Sequence, residues 1–138
     1  DIHAALGLSQ LSKIDEKVAI RQQLAKRYDE ELNGLPITCP RRGCGYSSLH
    51  LYTICVPPNG SGVTREDVYK SLHDNKILAN LHYTPVHRHP YYEDLGFKNG
   101  DFPNSEKFHK EAISIPLFPG LEFQDQSRVI KTLIKVFQ

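Results

Sequence analysis

The sequence predicts an α+β fold: a small, mainly antiparallel sheet with helices on one face, led by a long N-terminal helix. Helical periodicity dominates both ends of the chain, and three short stretches between them have strand character. The element order is helix, strand, helix, strand, short helices, strand, helix. With 138 residues there is material for one domain and too little for two ordinary ones.

Residues 1–33 read as one long helix. Ala5, Leu8, Leu11, Ile14, Val18, Ala25, Tyr28 and Leu32 recur at steps of three, four and seven. The other face carries Lys13, Asp15, Glu16, Lys17, Arg21, Lys26, Asp29 and Glu30. Asp1 suits the N-cap, and Asn33-Gly34 is a stop. Gly7 costs about 1 kcal/mol against Ala inside such a pattern. Such a helix is about 50 Å long, whereas a compact domain of this size has a radius of gyration near ~14 Å. The helix is therefore expected to overhang, with Ile2 to Leu8 packing on further protein.

Residues 34–47 form a loop rich in Pro, Gly and Arg, and 48–56 a strand ended by Pro57-Pro58-Asn59-Gly60. Thr64 caps the next helix, which runs to about Asn75; Asp67 stands three residues on, close to a capping box. A second strand covers Ile77–Tyr83. Tyr91–Leu95 is a short helix ended by Gly96, Ser105–Glu111 another, and Ala112–Ile115 a third strand. Gln124–Phe137 is the last helix, with Val129, Leu133, Ile134, Val136 and Phe137 as its apolar side.

Seventeen basic and sixteen acidic side chains leave a net charge of +1, with no excess to drive binding to nucleic acid or an anionic membrane. No apolar run approaches the ~20 residues of a membrane helix. Asp1–Ala5 has neither the basic nor the apolar region of a signal peptide. There is no Met, and the first residue already belongs to a helical pattern. Both features suggest an internal fragment with protein missing upstream; processing of an ordinary N-terminus is the alternative. Three Cys without framework spacing favour free thiols in a reducing compartment. Cys39 and Cys44 have four residues between them, a spacing zinc sites use, but no matching second pair follows. Cys55 reads as a small core hydrophobe.

The densest cluster of functional side chains runs from Asn80 to Tyr92 and contains His82, His87 and His89. Three His so close raise a metal site, but Pro85 and Pro90 interrupt any regular ligand geometry and no acid stands near before Glu93. No Gly-x-Ser-x-Gly elbow exists. Gly43-Cys44-Gly45 and Gly60-Ser61-Gly62 do not lie between a strand and a helix as a phosphate loop must. Lys107 and Lys110 sit on a polar helix, with no mark of a desolvated Schiff-base lysine.

Three stretches carry a resemblance. They are Asp1-Ile2-His3-Ala4-Ala5-Leu6-Gly7-Leu8-Ser9-Gln10-Leu11 with Arg21 and Arg27-Tyr28; Ile77 to His87 followed by Pro90-Tyr91-Tyr92; and Phe102-Pro103-Asn104-Ser105-Glu106 with Ser114 to Leu121. Together they resemble the DegT-type (DegT/DnrJ/StrS) pyridoxal-phosphate-dependent sugar aminotransferases over nearly the whole chain. The nearest branch acts on UDP-4-keto-6-deoxy-N-acetylhexosamines, in the pseudaminic acid pathway or among spore-coat polysaccharide proteins. The loop with Cys39, Arg41, Arg42, Gly43 and Cys44 is not a family feature and reads as a variable insertion, and a further departure is Asn75-Lys76 before Ile77, where the family often has Gly. A positive-φ turn suits Asn there.

The resemblance implies a small C-terminal domain of a fold-type I aminotransferase. Residues 1–33 would be the connecting helix and 34–138 the small domain, the N-terminal cofactor domain being absent. That domain would supply the Schiff-base lysine, the pyridinium partner and the phosphate cup. Pyridoxal phosphate would belong to the full-length enzyme and not to this chain alone, which is expected to be inactive. The partners implied are a UDP-linked 4-keto-6-deoxy sugar, an amino donor such as glutamate, and a second subunit of a cytoplasmic homodimer; nucleic acid and membrane are not. The expected substrate-binding residues are His87, His82, Tyr83 and Asn80. His87 is expected to project from the turn after Pro85, and His89 to face solvent. The alternatives are a non-catalytic sugar-nucleotide-binding or interaction module and a His-based metal protein.

Overall fold

The computed structural model describes residues 1–39, 47–58 and 62–138. The expected single helix over 1–33 is two: α1, Ile2–Leu11, and α2, Ile14–Glu31. The break is local chemistry. The Ser12 hydroxyl donates back to the Ser9 carbonyl at 2.9 Å, competing with the helical ladder. The Lys13 amide reaches back only three residues, to Gln10 at 3.2 Å, and the Lys13 backbone leaves the helical region at φ −111° and ψ 7°. The two helices also differ in burial. No residue of α1 is buried. In α2, Val18, Ala25 and Tyr28 enter the core. Gly34, at φ 88°, turns the chain after α2.

The strands are shorter than expected. The first, β1, is Tyr52–Cys55; Leu49 at φ 48° keeps residues 48–51 out of extended pairing. The second, β2, is only Asn80–Leu81. The third, β3, is Ala112–Ile115, as the sequence predicts. The sheet is antiparallel in the order β1-β3-β2, with Ile54 opposite Ile113 and Asn80 opposite Ser114. Thr38 adds a bridge to Cys55. The helix α3, Arg65–Asp74, begins with a full capping box between Thr64 and Asp67. Its end is a Schellman turn: the Ile77 amide bonds Leu72 O at 2.9 Å and the Lys76 amide bonds His73 O at 2.8 Å. The positive φ falls on Lys76, at 57°, and not on Asn75, which is the C-cap at φ −88°. Two short helices follow, α4 at Pro90–Asp94 and α5 at Pro103–Glu111, then α6 at Phe123–Val136. The Cys39–Cys44 loop lies outside the described residues beyond Cys39, as do Asn59, Gly60 and Ser61.

Strand side chains alternate between faces. Tyr52, Ile54, Ile113 and Ile115 join Ala25 and Tyr28 of α2, Val68 and Leu72 of α3, and Val129, Ile130 and Leu133 of α6 in one apolar core. Burial pushes the Tyr28 phenol far above its usual pKa, so it stays a donor, bonding Pro116 O at 2.9 Å. The Tyr52 phenol donates to Asp29 Oδ1 at 2.7 Å. Arg27 fastens α2 to α6. Its guanidinium bonds Phe123 O and Gln126 Oε1 at 3.1 Å each and Ser127 Oγ at 2.6 Å, and lies 3.7 Å from the Phe123 ring centroid.

Charge-assisted hydrogen bonds of this kind contribute about 1.5–3 kcal/mol. We expect Arg27→Ala to lower unfolding free energy by about 2–3 kcal/mol in urea titrations. Arg27→Lys should recover less than half, because an ammonium cannot serve three fixed acceptors and a ring together. Full recovery by Lys would show that charge alone matters.

Candidate functional site

The segment after β2 is held at successive points. The His82 ring meets the Ser114 hydroxyl of β3 through Nε2, and Ser114 Oγ is 2.9 Å from Thr53 Oγ1 of β1. A chain of hydroxyl and imidazole groups thus links β1, β3 and the residue that follows β2 on the face opposite the apolar core. The His82 carbonyl accepts from His109 Nδ1 of α5 at 3.0 Å. Tyr83 then stands 85% exposed. Pro85 starts a short 3-10 turn, Val86–Arg88, closed by the Arg88 amide on Pro85 O at 2.8 Å. Arg88 spans from Glu93, at 2.9 Å, to Asn99, at 2.7 Å.

His87 does not project from this turn. It is 6% exposed, its ring centroid lies 4.8 Å from that of Phe102, and its Nε2 lies 2.9 Å from Glu106 Oε1. The reason is a waiting acceptor. The first turn of α5 presents Glu106, whose Oε1 also accepts from the Gly100 amide at 2.7 Å. The Gly100 amide first, and His87 second, hold the Glu106 carboxyl below its usual pKa. His89 is exposed, with Nε2 3.2 Å from Thr84 O. Among the described residues no His, Cys, Asp and Glu group has the arrangement of a metal site.

The four expected site residues are therefore not gathered in one place. Asn80 is exposed and lines a cleft of about 520 Å³ that also holds Arg21, Lys76, Phe118, Asp125 and Arg128. His87 borders a separate apolar pocket of about 300 Å³ with Tyr92, Phe97 and Phe102. His82 is half-buried and Tyr83 is on the surface.

Residues 1–134 match the DegT/DnrJ/EryC1/StrS aminotransferase family. The chain belongs to that family. It is 36% identical over 137 residues to the Bacillus subtilis spore coat polysaccharide biosynthesis protein SpsC, covering 96% of this chain and 35% of SpsC. It superimposes with a TM-score of 0.85 and 30% identity on Helicobacter pylori PseC, an aminotransferase involved in the biosynthesis of pseudoaminic acid, over 99% of this chain and 37% of PseC. Spr1654 from Streptococcus pneumoniae, solved in PLP and PMP forms, gives a TM-score of 0.86 at 29% identity, over 99% of this chain and 35% of Spr1654. The chain thus spans about a third of the length of these family members.

Members of the family work with pyridoxal phosphate, so the amines present matter. All ten lysines lie on described residues; nine are exposed, and Lys17, half-buried, donates to Gln10 Oε1 at 2.6 Å. An imine-forming amine needs a desolvated pocket or a neighbouring cation. Arg21, like His87, differs in position from the sequence expectation. It was assigned to the polar face, yet it stands three residues after Val18 and four before Ala25, in phase with the buried stripe. That phase was the available signal.

The Glu106 shift fixes a pH dependence. Its folded pKa is below the unfolded value of about 4.3, so its contribution is present above that pH and is lost as pH falls through the folded pKa. Melting at constant ionic strength should show Glu106→Gln less stable at pH 7 and closer to the parent below about pH 4. Other lowered carboxyls, Glu66 and Asp67, act equally in both proteins and cancel. Parallel melting curves across that range would remove Glu106 as a pH-dependent anchor.

Proposed function

We propose that this chain is the C-terminal part of a pyridoxal-phosphate-dependent aminotransferase that transfers an amino group to a UDP-linked 4-keto-6-deoxy sugar. The observation that carries the reading is one of coverage. The family match takes in nearly all of this chain, while the chain accounts for about a third of each relative. In this reading residues 34–138 form the small domain, and 1–33 connect it to a larger domain that holds the cofactor. The exposed lysines support that division. So does α1, whose Ile2, Leu6 and Leu8 are 85, 58 and 71% exposed, a surface for the rest of the polypeptide to cover. The complete enzyme would use glutamate as donor and act as a cytoplasmic homodimer; the free thiols of Cys39 and Cys55 suit a reducing compartment.

The small domain's task is to present and orient the sugar nucleotide. Asn80 and Tyr83 offer an amide and a phenol to hydroxyl or phosphate oxygens. His82 and His87, both engaged inside the domain, act as positioning residues that keep Tyr83 between two fixed points. Such preorganisation favours reaction because the segment need not be ordered when substrate arrives.

The test uses the complete polypeptide with pyridoxal phosphate, glutamate and a UDP-linked 4-keto-6-deoxy sugar, with the product read by mass spectrometry. Amino sugar nucleotide is expected, and none from residues 1–138 alone. Tyr83→Phe should lower kcat/KM for the sugar nucleotide about ten-fold or more, matching a lost bond to a charged group. The half-reaction with glutamate should change little. Absence of amino sugar from the complete polypeptide would overturn the reading, and an unaffected Tyr83→Phe would overturn the site.

A further inference from the structure

We infer that the cleft headed by Arg21 is an anion subsite, built for the diphosphate of a nucleoside diphosphate. The observation is an unpartnered guanidinium. Arg21 of α2 is partly buried, its Nε is shielded from solvent, and that nitrogen has no hydrogen-bond partner. Among the described residues, Arg21 takes part in none of the ion pairs that occupy Arg27, Arg65, Arg88 and Arg128. Arginine cannot escape the cost of burial by losing its proton. Leaving a buried donor unsatisfied is costly, and more so where the group is charged.

The surroundings specify the missing partner. The cleft holds Arg21, Lys76 and Arg128 against one acid, Asp125. Asp125 lies 3.6 Å from Arg128, so Arg21 and Lys76 remain as uncompensated cations. Two positive charges match a diphosphate better than a single carboxylate, and the guanidinium fork is shaped for two oxygens at once. The volume, about 520 Å³, lies within the range of small-molecule sites. The exposed Asn80 amide supplies both a donor and an acceptor beside the charges. Phe118, 48% exposed at the rim, offers a ring face to a planar base. The anion subsite stands on Arg21 and the cleft; only the identity of the nucleoside, uridine, rests on the proposed function.

Isothermal titration of the complete polypeptide with UDP, inorganic pyrophosphate and glutamate tests this. UDP and pyrophosphate should bind, each at least ten-fold more weakly to Arg21→Gln. Arg21→Lys, which keeps the charge and loses the fork, should fall between. Lys131→Gln, on α6 outside the cleft, should match the parent. Circular dichroism establishes that each variant is folded; if Arg21→Gln is not, at least three-fold weakening in Arg21→Lys carries the inference. Unchanged UDP and pyrophosphate affinity in a folded Arg21 variant overturns it, as does Arg21 dependence seen with glutamate alone. The two readings fail separately. Amino-sugar formation with Arg21-independent UDP binding removes the subsite and leaves the transaminase. Arg21-dependent pyrophosphate binding without amino-sugar formation does the reverse.

Discussion

Strand β3 is the constraint from which the other elements take their places. All four of its residues are buried, so both of its faces and both of its edges must be filled. One face takes Ile113 and Ile115, and the helices follow from that: α3 and α6 lay their apolar stripes on it, and Arg27 ties α2 across α6. The other face takes Ser114, whose hydroxyl must be paired because a buried polar group without a partner is costly. Thr53 of β1 and His82, the residue after β2, supply the pairing. A residue needed to satisfy the core thereby fixes the end of β2. The chain leaving β2 carries the exposed Tyr83, so the position of that residue is set by the interior of the sheet.

A second anchor lies beyond Pro85. The buried His87–Glu106 pair and the Gly100 amide join the 3-10 turn, the loop before α5 and α5 itself. Between His82 and His87 the backbone has little room to wander, although only two residues of β2 are in the ladder. In the proposed function this arrangement would let the segment hold its shape as a ligand arrives, with the two histidines positioning the exposed groups around them. An Arg21-headed cleft at the start of β2 and Tyr83 at its end would address two parts of one extended ligand.

Much of this was legible in the sequence, for identifiable reasons. The Thr64–Asp67 box, the Ala112–Ile115 strand and the last helix were readable because local chemistry and tertiary packing agree there. The break at Ser12–Lys13 was missed because a 3.6-residue pattern continues across it; one serine hydroxyl decided the geometry. The first strand is shorter than expected because Leu49 adopts positive φ, which its residue type does not announce. His87 was placed on the outside because Pro85 correctly marks a turn, while its acceptor, Glu106, lies nineteen residues away. Arg21 carries a charge that points to the polar face, while its helical phase points to the buried one. For His87 the acceptor across the fold is not visible in local sequence.

Amide hydrogen exchange on the complete polypeptide, with and without a UDP-linked 4-keto-6-deoxy sugar, tests the central claim most directly. The account predicts that β3 is slow in both states. Added protection on binding should concentrate in residues 76–89 and in the first half of α2 around Arg21. Protection confined to residues outside this chain, with 76–89 unchanged, would contradict it.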